Sequence, residues 1–575
     1  MLQYGREIQT PAIARDLEFL MTCGRAYSSS TVSGNTRKYH GLFVRDGRLL
    51  LAGLDEMVNG TRISTQQYVG TSDDAGLRYL QAFSLYPPTW LYTIGDVIVK
   101  KTVTFDGNLV ISYGIAGEAE LWIRPLVTDR SVHEVLRLPD PGCVHERGGV
   151  RWGGLFFEGD LSYEPHPDTY RNVWYQREHE RGYEPAEDLH SPGIFHGSVR
   201  DATVTFRCTG SAPFPEHTGR IRSPKTSLDW LEWASDAFCH GDEIVAGYHW
   251  FCESWGRDSA VSVTGLLIER GLKEEARAVL KNLAGMRKDG VIPNRFPGNY
   301  NTSDASLWFI HALLRYRRRW GDDPFMQTMR PVIGDILENY PCSGVASLDH
   351  DLISVAPKST WMDTDFTSRE GKPVEINALW VNALAEAGEM GIRTTVTHES
   401  ALSAFRRFWN EEGKCLYDLI DPVDASIRPN QVIALSLGLV RPDQAASCMD
   451  TIRKSLLTPY GLRSLSPSDQ KYQGHYSGDK SYHNGCVWPW LTGYYTEALL
   501  RNGVPRERIA PLLVPILRHL REAGMGYVSE IFDGDFPHIP RGCIAQAWSV
   551  AEIARAYRML FPHSRKQDNA TPGVI

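Results

Sequence analysis

The sequence predicts a multidomain protein, with an N-terminal antiparallel β-sandwich over residues 1–225 and a C-terminal all-α (α/α)6 barrel, or toroid, over residues 226–575. Three observations predict it. A chain of 575 residues is too long for one ordinary core. The hydrophobic period changes from two to about 3.6 near residue 225. Beyond that point, helical runs alternate with loops that hold most of the aromatic, His, Asp and Gly residues of the second half.

In the first half, DVIVKKTVTF alternates Val97, Val99, Val103 and Phe105 with polar partners, and NLVISYGIAG, AELWIRPLV and DATVTFRC follow the same habit. Closely spaced strands separated by Gly, Asp and Asn fit an antiparallel sandwich. The stretch Ser211 to Lys225, rich in Pro, Ser, Thr and Gly, is expected to be the linker. In the second half, Leu272, Ala276, Val279, Leu280 and Leu283 recur at helical spacing, as do Ile509, Leu513, Ile516, Leu517 and Leu520. Pro511 is tolerable in a first turn, whereas Pro515 should kink the helix. Roughly twelve helical segments are expected, starting near residues 227, 258, 272, 302, 324, 373, 395, 430, 441, 486, 505 and 543. Six hairpins with their loops at one end would enclose a central pocket. Function then belongs on the loops at 241–257, 291–301, 358–372, 463–485 and 526–542.

Composition narrows the chemistry. The chain is 42% apolar and 23% charged, the mix of a soluble globular protein, and its net charge of -8 argues against nucleic acid or anionic membranes as partners. It has no apolar run of about 18 residues, and MLQYGREIQTPAIARDLEFL carries charges where a signal peptide needs an apolar block. Ten cysteines, from Cys23 to Cys543, form no CxxC pair and no cluster with histidine, so reduced thiols in the cytoplasm, no zinc and no other metal are expected. No P-loop or β-α-β alternation occurs, and no cofactor is expected. The 16 Trp and 25 Tyr often adjoin charged residues, as in WGRD, TWMD and VWPW. That pairing suits stacking on sugar rings while their hydroxyls are hydrogen-bonded, although core packing explains any single tryptophan equally well.

Five constellations carry the candidate chemistry. In HWFCESWGRDSAV, Asp258 is placed to cap a helix, but Arg257 and Asp258 could also grip adjacent hydroxyls against a wall formed by Trp255, with Glu253 in support. In VIPNRFPGNYNTSDASLWF, Asn294, Arg295, Tyr300, Asn301 and Asp304 crowd a loop entering a helix. Ser303 or Asp304 is the expected cap, and a polar pocket lining is the functional alternative. In STWMDTDFTSREGKPVEINALW, the bulk of Trp361 and Met362 is expected to desolvate Asp363 and raise its pKa, as a general acid needs. Asp365, Glu370 and Glu375 are rivals, and Glu375 also suits the first turn of a helix. In GHYSGDKSYHNGCVWPWLTG, His475, Tyr482, His483, Asn484, Trp488 and Trp490 fit a sugar-lined wall without metal-ligand spacing. In YVSEIFDGDFPHIPRGCIAQAWSVAE, Glu530 lies between apolar neighbours as a base candidate. Asp533 and Asp535 form a turn, and Gln546 and Trp548 open the last helix. Carboxylates on separate loops of one face supply what glycosidic hydrolysis requires: a protonated carboxyl for the leaving oxygen and a carboxylate for water. Residue chemistry alone leaves Asp258, Asp363 and Glu375 open as the acid.

At these blocks the chain resembles the bacterial and archaeal glycogen debranching enzyme family, the amylo-α-1,6-glucosidases. STVSGNTRKYHGLFV is similar to the family's N-terminal signature, and AGYHWFCESWGRDS, GVIPNRFPG, NYNTSDASLWF, TWMD, GKPVEINALW, SYHNGCVWPW and PRGCIAQAWS resemble its catalytic half. The resemblance implies hydrolysis of α-1,6 branch points of glycogen or limit dextrin with inversion, Asp363 as general acid and Glu530 as base. It also implies that Arg257 and Asp258 hold the terminal glucose. TCGRAYSSST departs from the family's glycine-rich stretch, with Arg25 and Ala26 in place of glycines, and these residues are expected to leave no room for a glucanotransferase barrel. The rival readings are another toroid α-glucosidase, such as a glucoamylase or trehalase, and a non-catalytic glucan-binding protein. A third reading makes the sandwich a starch-binding module through Trp90, Trp122, Trp152 and Trp174, although core packing is the expected job of most of them. No residue pattern sets an oligomeric state.

Overall fold

The computed structural model describes residues 2–105, 108–137, 142–210 and 224–562. The expected linker falls almost wholly on residues 211–223, outside the described residues. The chain divides into two compact units, Met1–Lys225 with Leu520–Gly526, and Thr226–His519 with Tyr527–Ile575.

The first unit is mostly β. One nine-stranded sheet runs through the strands Val97–Phe105 and Leu109–Ala116, paired antiparallel from Ile98↔Ala116 to Phe105↔Leu109. A ten-stranded sheet is built around Arg48–Val58, Glu118–Ser131 and Ala186–Arg200. The alternation read from DVIVKKTVTF holds residue by residue, since Val97, Val99, Val103 and Phe105 are the buried positions of that strand. Period-two burial follows because successive side chains point to opposite faces of a strand. Aromatic side chains fill the space between the sheets: Phe43 meets Phe105, and Phe195 meets Phe206, at ring distances of 5.7 and 5.2 Å. Trp90 and Trp152 are buried there, their indole N–H groups donating to the carbonyls of Val32 and Thr128. Of the four tryptophans weighed as glucan contacts, these two are core residues. The TCGRAYSSST stretch is a tight hairpin, Glu18–Cys23 against Ala26–Thr31, and Glu18 also bonds to Ala523 and Met525 of the short returning segment.

The second unit is helical, and the pattern of each helix decides its layer. Six helices are buried over most of their surface: Gly256–Val263, Ala305–Trp320, Val374–Glu389, Gln431–Leu437, Leu491–Arg501 and Ala547–Leu560. Each packs on the next, and the last packs on the first, closing a ring. Helices between them bury one stripe only, as expected of a surface layer. Lys273–Gly285 buries Ala276, Val279, Leu280, Leu283 and Ala284, and Pro442–Ser455 buries Ala445, Cys448 and Ile452.

Three boundaries differ from the sequence reading. The stretch expected as one kinked helix after residue 505 is three short pieces, Arg506–Ile509, a 3-10 turn Ala510–Leu513, and Val514–His519. Pro511 and Pro515 each lack the N–H that would continue the ladder, so two breaks replace one kink. The helix expected from residue 486 begins at Leu491, because Val487–Trp488 is drawn into a short sheet beside Gly461–Arg463. The last helix begins at Ala547, after Ala545–Gln546 pairs with Glu243–Tyr248.

Where the ring closes, helices approach within reach of backbone. A Cβ on Gly265 would lie 2.0 Å from the Ala551 carbonyl oxygen, a contact that only helix displacement relieves. Gly265→Ala is therefore expected to destabilise the helical unit by about 1–3 kcal/mol through overpacking, read as a lowered urea midpoint. An unchanged midpoint would show that the ring tolerates the shift.

Candidate active site

Loops at one end of the ring carry the predicted carboxylates. Trp255 occupies the cap position of helix Gly256–Val263, and Asp258 lies inside its first turn, so the expected capping role of Asp258 is not the one it plays. The Gly256 N–H donates to Asn294 O, which stitches WGRD to the VIPNRF loop. Arg257 is buried and reaches toward the loops at 302–304 and 360–363. Its Nε donates to both carboxylate oxygens of Asp304 at 2.8 and 2.9 Å, and its Nη2 donates to Thr302 Oγ1 and Thr360 O. Its Nη1 reaches Asp363 Oδ2 at 3.3 Å. Asp304 does stand at the cap of helix Ala305–Trp320, but its carboxylate serves Arg257 instead of the helix N–H groups. It is fully buried, and its place is behind the guanidinium, not in a pocket lining.

Glu530 accepts a hydrogen bond from Tyr482 Oη and, at 2.8 Å, from the Cys543 N–H. Gly542, next to Cys543 in PRGC, has φ +69. A Cβ there would lie 2.2 Å from Glu530 Oε2, so the turn demands glycine on both counts. Asp258 accepts from Gln546 Nε2 at 3.4 Å. His483 Nε2 stands 3.7 Å from Asp363 Oδ1. Two pairs of sequence neighbours thus span the site: Arg257 and His483 face Asp363, while Asp258 and Tyr482 lie by Glu530.

The three carboxyls differ in environment. The Asp363 side chain is 37% exposed, whereas Asp258 and Glu530 are buried. Burial raises the Glu530 pKa above the ordinary carboxylate value, against the hydrogen bonds from Tyr482 and Cys543. Burial also lifts Asp258 to about 7, with Arg257 opposing and the nearby Glu530 and Asp304 charges adding to the rise. Asp363 behaves in the opposite sense to the sequence expectation. Burial pushes it up, but the His483 ring and the Arg257 guanidinium outweigh that push and hold it below its usual value. Trp361 and Met362 do not reverse this, because a guanidinium fixed by Asp304 stands beside the carboxylate. Burial lowers the His483 pKa as well, against the opposing pull of the Asp363 carboxylate.

Behind Asp363 lies a layer that the sequence reading missed. Trp361 Nε1 donates to Asn430 Oδ1 at 2.8 Å, and Asn430 Nδ2 donates to Asp418 Oδ1 at 2.7 Å. Asp418 pairs with Arg369, which also grips Glu375. Glu375 does sit in the first turn of Val374–Glu389, but it is 1% exposed and wholly engaged with Arg369. It is an internal ion-pair partner, not a substrate contact. Arg428 fixes the other side, donating to His483 O and Asn484 Oδ1. The only sequence signal was the polar RPNQ run opening an otherwise apolar helix.

The predicted aromatic wall is a buried cluster. Trp361 meets His483, Trp488 and Trp490 at ring distances of 5.3, 5.1 and 5.3 Å, and Trp490 stacks on Trp548 at 5.3 Å. Trp488 and Trp490 are each 1% exposed, so they back the pocket and present no open face. Buried polar atoms without a hydrogen-bond partner among the described residues occur here: Asn294 Oδ1, Gln546 Oε1, both ring nitrogens of His483, and the indole N–H groups of Trp255, Trp490 and Trp548. Such groups are costly to leave unmade, and those of Trp255, Asn294 and Gln546 adjoin Arg257 and Asp258. Arg295 is exposed, pairs with Glu253 and lies over the Trp255 ring at 5.9 Å. Tyr300 donates its hydroxyl to Met286 O, and the structure does not bring it to the carboxylates. His475 is exposed, while Asp365 pairs with Lys358 at the surface.

Two predictions arise from this arrangement. Asp258 has a folded pKa of about 7 against 3.8 for an ordinary aspartate, so the folded chain binds the extra proton between those values. Stability from this group is full below about pH 4 and declines as pH rises toward 7. The melting temperature of wild type relative to Asp258→Asn should therefore fall over that window; parallel curves would refute the assignment. Glu375→Gln should destabilise the helical unit by about 3 kcal/mol, since it breaks a buried pair. A variant of normal stability with only weakened sugar binding would restore the substrate-contact role.

Comparison with known proteins bears on this geometry. A family model described as Glycogen debranching enzyme N terminal matches residues 18–204, and one described as Amylo-alpha-1,6-glucosidase matches residues 227–555. The glycogen debranching enzyme of Saccharomyces cerevisiae (strain ATCC 204508 / S288c) is 24% identical over 371 residues, covering 43% of this chain and 24% of the yeast protein. The chain thus spans about a quarter of that relative's length. Among solved structures, the GH63 mannosylglycerate hydrolase of Thermus thermophilus in complex with Tris is similar at a TM-score of 0.45 and 14% identity, over 58% of this chain and 100% of that chain. The same hydrolase in complex with glucose gives a TM-score of 0.44, again at 14% identity, over 58% and 100% of the two chains. With a catalytic-half match covering more than half its length, and an N-terminal match beside it, the chain belongs to the glycogen debranching enzyme family of amylo-α-1,6-glucosidases.

Proposed function

We propose that this chain hydrolyses α-1,6-glucosidic branch points of glycogen or limit dextrin, releasing glucose with inversion, in the cytoplasm and without a cofactor. The reading takes the ring of helices as an (α/α)6 barrel and the β unit as its N-terminal sandwich. The observation that carries it is the pair of carboxyls, Asp363 and Glu530, flanked by Arg257–Asp258 and Tyr482–His483 amid unpartnered buried polar atoms.

In this mechanism Asp363, the carboxyl open to an incoming molecule, donates its proton to the leaving glycosidic oxygen. Glu530 takes a proton from the attacking water on the other side of the ring. Asp363 must first be protonated, and the bound sugar favours that in two ways. It covers the exposed side of the carboxyl, and desolvation raises its pKa. Its hydroxyls also accept from Arg257 Nη1, the arm now directed at Asp363. Asp258, with its pKa near 7, is the neighbouring group able to hold a proton at working pH.

Leaving-group chemistry separates the two roles. An α-glucosyl fluoride needs no proton on departure. Asp363→Asn should lose turnover of branched dextrin by about 100-fold or more yet keep much of its activity on the fluoride, whereas Glu530→Gln should lose both. The reverse pattern would exchange the roles, and normal turnover by both variants would refute the pair. Wild type should release β-glucose from branched limit dextrin. Preference for linear α-1,4 chains or trehalose would favour the other toroid glucosidases, and binding without release of glucose would favour a glucan-binding protein.

A further inference from the structure

We propose that Phe366, Tyr476 and Phe536 form an aromatic rim that holds the α-glucan chain continuing beyond the glucose at Asp363 and Glu530. The inference rests on the glucosidase reading and names the part of the substrate that stays outside the pocket.

Among the described residues, the helical unit exposes three large aromatic side chains: Phe366 at 54%, Tyr476 at 38% and Phe536 at 85%. All three lie on loops that carry the site. Phe366 follows Asp363 by three residues, Tyr476 precedes Tyr482 by six, and Phe536 follows Glu530 by six. Ile539, also exposed, shares the loop of Phe536. Elsewhere in this unit the exposed large apolar residues are Leu348 and Val423, single and aliphatic. Scattered apolar residues need no explanation, but an aromatic set confined to the loops of one site does.

The rim is tied together and tied to the carboxyls. The Tyr476 N–H donates to Asp533 Oδ1 at 2.9 Å, the Asp535 N–H donates to Gly474 O at 2.9 Å, and Tyr472 Oη donates to Asp535 Oδ1 at 2.8 Å. The loop before His483 and the loop after Glu530 are thus stitched into one edge. Asn484 Nδ2 reaches Phe366 O at 3.5 Å, joining the third loop. The Tyr476 ring stands 6.4 Å from Tyr482, which itself binds Glu530.

The site fixes the occupant. A glucose held at the carboxyls remains bonded, until cleavage, to a chain that must leave across these loops. A pyranose has an apolar face of C–H groups and an equator of hydroxyls, so exposed aromatic side chains adjoining His475 and Asp535 in the chain match it on both counts. Large aromatics give such contact at low cost in ordering, since only two torsions are fixed.

The test uses the full chain with Phe366→Ala/Phe536→Ala and Tyr476→Ala, all at exposed positions, and Val423→Ala as a control away from the site. KM for branched limit dextrin should rise roughly 3- to 10-fold for each ring removed. The loss on α-glucosyl fluoride, which has no chain to reach the rim, should be several-fold smaller, and the control should match wild type on both. Equal losses on the two substrates, or an unchanged KM for dextrin, would overturn the rim. Should wild type hydrolyse neither substrate, the glucosidase reading fails instead. Retardation in glycogen-containing gels then still reads the rim: weaker retardation of the variants sustains it, and unaltered retardation points to a protein partner and overturns it.

Discussion

Burying a guanidinium is costly unless every face of it is met, and Arg257 shows how this site meets that cost. Asp304 takes Nε from behind, Thr302 and the Thr360 carbonyl take one arm, and Asp363 receives the other. The partners come from two stretches remote from Arg257 in the chain, so the charge cannot be satisfied until the loops at 255–258, 302–304 and 360–363 have come together. That constraint sets the geometry of Asp363, whose pKa His483 and Arg257 together hold below its usual value despite apolar neighbours in sequence. Asp258, one residue on, is carried to the other side and left beside Glu530 without a cation of its own aimed at it. Burial lifts the Asp258 pKa in spite of Arg257, whereas His483 and Arg257 together outweigh burial at Asp363, so the two carboxyls shift in opposite directions.

Beneath the reacting groups, a second set of charges keeps TWMD in place. Glu375, Arg369, Asp418 and Asn430 run in sequence to the Trp361 indole, every member buried and hydrogen-bonded. Charges so placed contribute little net stability over apolar packing, but removing one leaves the others stranded. Their value here is positional: they fix the orientation of Trp361, and with it the carboxyl two residues later. Arg428 does the same for the His483 carbonyl and the Asn484 side chain.

How much of this is legible in the chain depends on the range of the interaction involved. Strand Val97–Phe105 and helix Lys273–Gly285 can be read directly, because their burial repeats with the period of their own backbone. Inner and outer helices are separable by the same means, being buried over most of their surface or along one stripe. The stretch after residue 505 reads as one helix and is not, because two prolines act on one short segment and each breaks it. The site's loops and their carboxylates stand out as clusters of polar and aromatic residues, yet the pocket wall assigned to Trp488 and Trp490 lies buried behind it.

By itself, then, the sequence determined the two classes of structure, the order of elements and the five loops, and through family blocks it singled out Asp363 and Glu530 as the proposed pair. Those features are local, recorded in periodicity, turn residues and short motifs. Only the tertiary structure decided that Asp304 serves Arg257, that Glu375 is an internal partner of Arg369, that Asp258 and Glu530 share a buried corner, and that Asp363 is held ionised. Each of these turns on which charge lies within a few ångströms of another, and residues 47, 106 or 288 positions apart meet only after the ring has closed.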